Sequence, residues 1–188
     1  MDIGVTLPNG AKGIPGPKLV EWGVRAEELG FAVAGVIGRT AYPTHEELIT
    51  LAAVAGATSK IRLMPTVLVG PNREPVLLAK QAATLDRISD GRFILGIATG
   101  MREDDFTVTG TDHATRGKRL DEMLEVMHKV WRGEPLADGS REAAPPPTRG
   151  DRVPLMFGAN FATKPVVRRI AKWGDGFIAA GSPQMVKP

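Results

Sequence analysis

The amino-acid sequence predicts an α/β protein built around a parallel β-sheet. Short apolar runs alternate along the chain with segments whose apolar residues recur at helical spacing. The runs are rich in Val, Ile and Leu, which is typical of strands that are buried on both faces. They begin near residues 3, 32, 61 and 93, which is roughly one strand–helix unit per thirty residues. This periodicity fits both a barrel and an open doubly wound sheet.

The first third of the chain predicts two strands and two helices. The run IGVTL (Ile3–Leu7) is the first strand, and FAVAGVIG is the second. Between them, Pro17 and Gly30 mark the start and the end of a helix. Thr44 and Glu47 have the spacing of a capping box, which predicts another helix after the second strand. The residues expected on the buried helix faces are Leu19, Trp22, Ala26 and Leu29, then Leu48, Leu51, Ala52 and Ala55.

The rest of the chain predicts four more strands and three more helices. The run IRLMPTVLV (Ile61–Val69) has a proline in its middle, so this strand lies at an edge or is irregular. FILGIA, VPLMFGAN and GFIAAG supply the other strands. Helices are expected just before FILGIA, around Leu120–Trp131 and about Thr163–Trp173. The residues expected in line on the first of these helices are Leu78, Ala82, Leu85 and Ile88.

The chain is expected to form a single domain over residues 1–188, because this length suits one domain with a substantial core. The segment from Gly133 to Arg152 is long, polar and rich in proline, and it shows no periodicity. Loops of this length inside a compact domain are usually functional or disordered. We therefore predict that residues 133–152 form a mobile loop within the domain.

Composition excludes several classes of function. The chain has no cysteine, so disulfides, thiolate catalysis and iron–sulfur clusters are excluded, and its three histidines lack metal-ligand spacing, so no metal is expected. The net charge of +3 comes from scattered charges, so nucleic acid is not an expected partner. The sequence starts without a basic segment and has no apolar run long enough to span a bilayer. We expect a cytoplasmic protein with no membrane partner.

Several longer stretches occur together in a familiar order. REPVLLAKQAATLDRISDGRFILGIATG, REDDF and RGKRLDEMLEVMHKVWRGEP resemble the bacterial luciferase-like family of flavin-dependent oxidoreductases and monooxygenases. VPLMFGANFATKPVVRRIAKWGDGFI is similar to that family's fifth strand, following helix and sixth strand. The resemblance implies a (β/α)8 TIM barrel, with flavin at the carboxyl ends of the strands, and a homodimer.

The strand count falls short of that barrel. We count about six βα units, so the last two strands are absent from this sequence. Three explanations stay open: a fragment, a natural short relative that closes its edges by dimerising, or a flavoprotein that has lost catalysis. An unrelated nucleotide-binding domain is disfavoured, because PNGAKGIPG lacks the G-x-G-x-x-G spacing.

The resemblance implies a cofactor site at three strand ends. Ala98, Thr99 and Gly100 would lie against the flavin, although such a strand end is also common where a chain simply turns. A non-proline cis peptide is implied near Thr66-Val67, the alternative being a strand kinked by Pro65. The phosphate would be bound by residues after the fifth strand and, more weakly, after the sixth. The phosphate candidates are Gly158, Ala159, Asn160 and Thr163, then Gly181 and Ser182.

The resemblance also points to catalytic and substrate residues. Arg39 and Thr40 stand where many relatives carry Asp-His or His-His. A guanidinium stays protonated, so Arg39 is no general base; it would hold an anionic substrate, stabilise a reduced flavin anion or form a surface ion pair. The alternative to a phosphate-binding role for Thr163 is that it only caps the start of a helix. Glu103 would meet substrate, or else residues 103–105 are solvated or helix-start charges.

The implied function is oxidation of a small organic substrate by molecular oxygen with reduced FMN, supplied by a flavin reductase if one is needed. One alternative is hydride transfer with the deazaflavin coenzyme F420, without oxygen. The other is a non-catalytic flavin-binding protein.

Overall fold

The computed structural model describes residues 2–179. Strands and helices alternate along this range, with 3-10 turns at Gly70–Asn72 and His113–Thr115. The strands are β1 (Gly4–Thr6), β2 (Val33–Val36), β3 (Arg62–Pro65), β4 (Leu68–Val69), β5 (Leu95–Ala98), β6 (Leu155–Ala159) and β7 (Gly176–Ala179). The helices are α1 (Gly16–Glu28), α2 (Glu47–Ala57), α3 (Pro75–Ile88), α4 (Glu103–Thr107), α5 (Arg116–Trp131) and α6 (Lys164–Trp173).

All strand pairs are parallel and follow the order of the chain. One sheet has the order β1-β2-β3 and the other β4-β5-β6-β7. The two sheets meet where Leu63 bridges to Phe93, since the backbone N–H of Ile94 donates to the carbonyl of Leu63 at 2.9 Å. An open doubly wound sheet reverses its order at a switch point, and this one does not. The described range therefore forms part of a barrel wall that does not close, as predicted.

The third strand is interrupted in its middle. β3 ends at Pro65, the Thr66-Val67 peptide bond is cis, and the chain resumes as β4 at Leu68. The predicted irregularity and the position of the cis peptide are both confirmed. The edge-strand alternative is wrong, because β3 pairs with β2 on one side and bridges to Phe93 on the other.

The helices bury narrower stripes than the sequence predicted. α1 buries Leu19 and Ala26 against the core, but Trp22 is 51% exposed and Leu29 is 60% exposed. Gly23 replaces them in the buried stripe, and a Cβ atom there would lie 2.5 Å from Cγ1 of Val54. α1 therefore packs closely on α2 through its smallest side chain, which turns the two large residues outward. Ile88, at the end of α3, is likewise exposed.

The predicted capping box is wrong. α2 begins at Glu47, and its N-cap is Glu46, whose carboxylate accepts a hydrogen bond from the backbone N–H of Ile49 at 2.7 Å. Thr44 lies outside the helix, so its hydroxyl does not cap it. Two adjacent glutamates made the register ambiguous, because either can supply an acidic group to the first turn.

The loop at residues 133–152 is anchored at its far end. The buried carboxylate of Asp86 accepts a hydrogen bond from the backbone N–H of Thr148 at 2.6 Å, and Pro147 is buried. The mobility of the rest of this loop stays a prediction. None of the helices in residues 2–179 combines the length and the apolar composition that spanning a bilayer requires.

Close approach of β3 to β5 depends on Gly96. A Cβ atom built on this residue would lie 2.0 Å from the carbonyl oxygen of Pro65, which is backbone and cannot rotate away. We expect Gly96→Ala to lower the free energy of unfolding by about 2–3 kcal/mol or to prevent folding. Urea denaturation of the purified variant measures the loss.

Gly56 provides the matched control. It lies in α2, and a Cβ atom there would meet nothing within 4 Å. Gly56→Ala should therefore raise stability by about 0.5–1 kcal/mol, through lower entropy of the unfolded chain and better helix propensity. Equal unfolding midpoints for the Gly96→Ala variant and the wild type would contradict the close approach.

Candidate active site

One cavity of about 320 Å³ opens where the carboxyl ends of the strands converge. In parallel barrels this edge carries the functional loops. Its walls come from the ends of β2, β5, β6 and β7 and from the interruption between β3 and β4. Its volume falls within the range of roughly 300–1,000 Å³ that is usual for small-molecule pockets.

Most of the predicted site residues meet at this cavity, and their roles stay predictions. The predicted residues that line it are Arg39, Thr66, Val67, Ala98, Thr99, Gly100, Gly158, Ala159 and Asn160. Met101 and Arg102 complete the rim after β5, and the side-chain amide of Asn160 lies 3.2 Å from the sulfur of Met101. The candidates Gly181 and Ser182 lie outside the described residues.

Three predicted residues do not line the cavity. Thr40 lies behind Arg39, on an adjacent polar pocket, and its backbone N–H donates to Asp105 at 2.8 Å. Glu103 is the exposed first residue of α4, as the helix-start alternative has it. Thr163 is the N-cap residue of α6 and is exposed, and its side chain makes no capping hydrogen bond. The roles proposed for these three residues therefore stay predictions, outside the residues that line the cavity.

Glycines let the cavity walls approach the interrupted third strand. A Cβ atom on Gly158 would lie 2.6 Å from Cγ1 of Val67, and one on Gly38 would lie 2.5 Å from the Val67 carbonyl oxygen. Gly100 has φ +79°, and its Cβ would lie 2.6 Å from Cγ1 of Val69. Small residues at these strand ends are thus required by the protein's own packing, before any ligand is considered.

Arg39 is held on the wall by carboxylates of α4. Its Nε donates to Oδ2 of Asp105 at 2.7 Å, and its Nη2 lies 3.2 Å from Oδ2 of Asp104. The guanidinium also lies 5.6 Å from the ring centre of Tyr42, within the range of a cation–π contact. Of the alternatives for Arg39, an ion pair is present: its Asp105 partner is buried at the cavity, and its Asp104 partner is on the exposed surface.

Asp105 was missed by the sequence prediction. Its neighbours Glu103 and Asp104 are exposed, but Asp105 is only 2% exposed. Three consecutive acidic residues predict a single solvated segment. In the structure, α4 buries Asp105 together with Phe106, and no sequence pattern indicates this. The cavity residues Ile37 and Ile178 were missed as well, because their apolar side chains resemble any strand residue.

A buried ion pair supports Gly38 from behind. The Glu47 carboxylate lies 3.0 Å from where a Cβ of Gly38 would be, and it accepts a hydrogen bond from Nη2 of Arg73 at 2.7 Å. Burial raises the pKa of Glu47 above its ordinary value, and Arg73 opposes that rise. The Glu47 carboxylate thus serves to hold Arg73 in place behind the cavity wall.

The cavity can take a flat, mostly apolar ligand with a few polar atoms. Small residues and branched aliphatic side chains make up much of its wall, and Thr66, Thr99 and Asn160 supply polar groups. Within residues 2–179, no group of three or more His, Cys, Asp or Glu side chains could hold a metal ion. The lining is thus mostly apolar with a few hydrogen-bonding groups.

The family model of the luciferase-like monooxygenases matches residues 1–186. The chain belongs to this family. It is 32% identical, over 142 residues, to an uncharacterized protein of Mycobacterium tuberculosis strain H37Rv; the match covers 72% of this chain and 50% of that protein. The chain thus spans about half the length of the curated relatives it matches.

Solved structures of this family share the fold. The oxygenating constituent of 3,6-diketocamphane monooxygenase from Pseudomonas putida, in complex with FMN, has a TM-score of 0.80 and 20% identity, over 96% of this chain and 58% of that one. The coenzyme F420-dependent tetrahydromethanopterin reductase of Methanopyrus kandleri has a TM-score of 0.73 and 23% identity, over 94% and 55%. At these identities the likeness shows the luciferase-like barrel fold alone.

The Glu47–Arg73 pair yields a stability prediction. Arg73→Gln would leave the buried Glu47 carboxylate without its main partner, so we expect a loss of about 2–3 kcal/mol in the free energy of unfolding. The double variant Glu47→Gln, Arg73→Gln removes the buried charge of Glu47 and should recover part of that loss, while the partly exposed Glu46, which also pairs with Arg73 at 2.8 Å, loses its partner in both variants. Urea denaturation of both variants at neutral pH tests this, and equal losses would contradict it.

Acidic pH should reduce the loss in Arg73→Gln. Because the pKa of Glu47 is raised in the folded state, that state keeps a proton that the unfolded state has released, so stability falls as pH rises through that window. Removing Arg73 removes an influence that lowers this pKa. The gap between variant and wild type should therefore be smaller at about pH 5 than at about pH 7.5.

Proposed function

We propose that this chain binds reduced FMN in the cavity at the strand ends and uses molecular oxygen to oxidise a small organic substrate. The observation that carries the proposal is the convergence of Thr66-Val67, the Ala98–Gly100 strand end and the Gly158–Asn160 strand end on one largely apolar cavity. The FMN complex of the structurally similar Pseudomonas putida monooxygenase supports it.

The proposed cofactor would be held from two sides. Val67 and Ala98 would face the flat ring, and the small residues Gly158 and Ala159 would let the backbone approach the tail. The N-terminus of α6, which follows β6, favours an anion such as the phosphate, because its first N–H groups lack helical partners. Thr163 at that N-cap would add a hydroxyl.

The cofactor would supply the electrons that activate oxygen, and the protein would supply orientation and a cavity with little water. Among the described residues no histidine lines this cavity, so no imidazole base is available there. We propose as substrate a small organic molecule that fits beside the flavin ring. A flavin reductase and a second copy of the chain are the partners we propose.

The alternative cofactor is coenzyme F420, supported by the structural similarity to the Methanopyrus kandleri reductase. Fluorescence titration of the purified chain with FMN and, separately, with F420 distinguishes the two. We expect saturable binding of FMN, with weaker binding of F420. The reverse preference would assign hydride transfer, and binding of neither to a folded sample would contradict the proposal.

Turnover separates an oxygenase from a protein that only binds flavin. With photoreduced FMN, oxygen-18 gas and a medium-chain aldehyde or a cyclic ketone, we expect label in the organic product, found by mass spectrometry. FMN binding without labelled product from any substrate tried would favour the non-catalytic flavin-binding alternative.

Filling the cavity should weaken cofactor binding. Ala98 lines the cavity at the end of β5, and Ala98→Leu would add three carbon atoms to the space that the ring would occupy. We expect FMN affinity to fall at least about tenfold, or about 1.4 kcal/mol. Ile88→Leu, on an exposed position at the end of α3 that does not line the cavity, is the control and should bind FMN like the wild type. Unchanged affinity in Ala98→Leu would place the cofactor elsewhere.

A further inference from the structure

The buried carboxylate of Asp105 joins the segments that follow three different strands. Its Oδ1 accepts hydrogen bonds from the backbone N–H groups of Thr40 and Ala41, both at 2.8 Å. Its Oδ2 accepts the Nε hydrogen of Arg39 at 2.7 Å. Its backbone carbonyl accepts a hydrogen bond from the side-chain amide of Asn72 at 2.9 Å. One residue of α4 thus fixes the chain after β2 relative to the chain after β4.

These contacts occupy two of the three nitrogen atoms of the Arg39 guanidinium. Nε is bound to Asp105 and Nη2 to Asp104, while Nη1 donates to no acceptor among residues 2–179 and is not a buried atom, so a ligand can reach it. The Arg39 side chain is 18% exposed and lines the cavity. The guanidinium is planar, and hydrogen bonds hold its Nε and Nη2. The direction of the N–H bonds of Nη1 is therefore fixed as well.

The charge of Arg39 is more than balanced by its partners. One positive guanidinium faces two carboxylates, and the Asp105 side chain is only 3% exposed. A third anion at this place would meet the cluster of Arg39, Asp104 and Asp105, whose net charge is already −1. Nη1 therefore suits a neutral oxygen acceptor, such as a ring carbonyl, better than a carboxylate or a phosphate.

We propose that Asp105 is a positioning residue, which holds Arg39 so that Nη1 donates a hydrogen bond to a carbonyl oxygen of the bound flavin ring. The inference rests on the proposed function, since it needs a flavin in the cavity. It narrows the roles of Arg39 to one, recognition of the neutral ring, and it gives Asp105 a role that acts through Arg39.

The first test compares FMN with riboflavin, which has the same ring and no phosphate. In Arg39→Gln and in Asp105→Asn, affinity by fluorescence titration should fall about fivefold to tenfold for each flavin. Asparagine keeps one oxygen to accept from Thr40 and Ala41. A loss for FMN alone would make Arg39 a phosphate ligand and overturn the inference.

A double-mutant cycle separates positioning from general support of the fold. If Asp105 acts through Arg39, then Asp105→Asn should add less than about twofold to the loss in an Arg39→Gln background. If the losses of flavin affinity in the two single variants multiply in the double variant, Asp105 has a purely structural role. Glu122→Gln removes a carboxylate from the exposed face of α5 and controls for the change in net charge.

A second variant keeps the test decisive if Asp105→Asn does not fold. Arg39→Lys keeps a positive charge beside Asp105, but the three donors of lysine lie on a single nitrogen and cannot reproduce the positions of the three guanidinium nitrogens. It should stay folded and lose flavin affinity like Arg39→Gln, and wild-type affinity would overturn the inference. A wild-type chain that binds neither flavin overturns the proposed function as well, whereas normal binding with unaffected variants overturns this inference alone.

Discussion

The interrupted third strand is the constraint on which the rest of this structure depends. Glycines at positions 35, 38, 96, 100 and 158 surround it, and a Cβ atom on any of them would lie 2.0–3.1 Å from an atom of Pro65–Val69. Those glycines lie in β2, β5 and β6 or two residues after the end of β2 or β5. Because no side chain can stand between, the segment from Thr66 to Val69 forms part of the cavity wall itself. The glycine contacts that allow the strands to pack closely therefore also determine the shape of the cavity.

Charged residues around the cavity are engaged with one another. Glu47 is paired with Arg73 behind Gly38, and Arg39 is paired with Asp104 and Asp105 at the rim. Buried charges are costly unless they are paired, so these pairs fix the loops after β2, β4 and β5 in one arrangement. The remaining surface of the cavity is mostly apolar, as expected where a cofactor supplies the chemistry and the protein supplies its position.

The order of strands and helices, the irregular third strand and most of the cavity residues could be predicted from the sequence. The strands, the helices and the irregular third strand follow from local patterns such as apolar runs and Pro65, whereas the cavity residues were implied by the resemblance to the luciferase-like family. What could not be predicted depends on neighbours that are distant in the sequence. Trp22 faces outward because Gly23 packs on Val54, and Asp105 is buried because the chain after β2 supplies its donors. The same residue pattern occurs at exposed and at buried positions, so periodicity alone cannot tell whether a given side chain is exposed or buried.

The two ends of the cavity differ in charge, and this difference gives a ligand an orientation. At the β2–β5 end, Arg39, Arg102 and Asp105 line the cavity, and the exposed carboxylates of Glu103 and Asp104 lie on the adjoining turn of α4, so these five residues together carry a net charge of −1. At the β6 end, Lys164 opens α6, so a side-chain cation and the unpaired N–H groups of the helix start coincide. A ligand with one anionic end and one neutral, carbonyl-bearing end is best placed with the anion toward α6 and the carbonyls toward Arg39. This distribution of charge supports both proposed roles, Arg39 as a donor to a neutral acceptor and the start of α6 as the anion site.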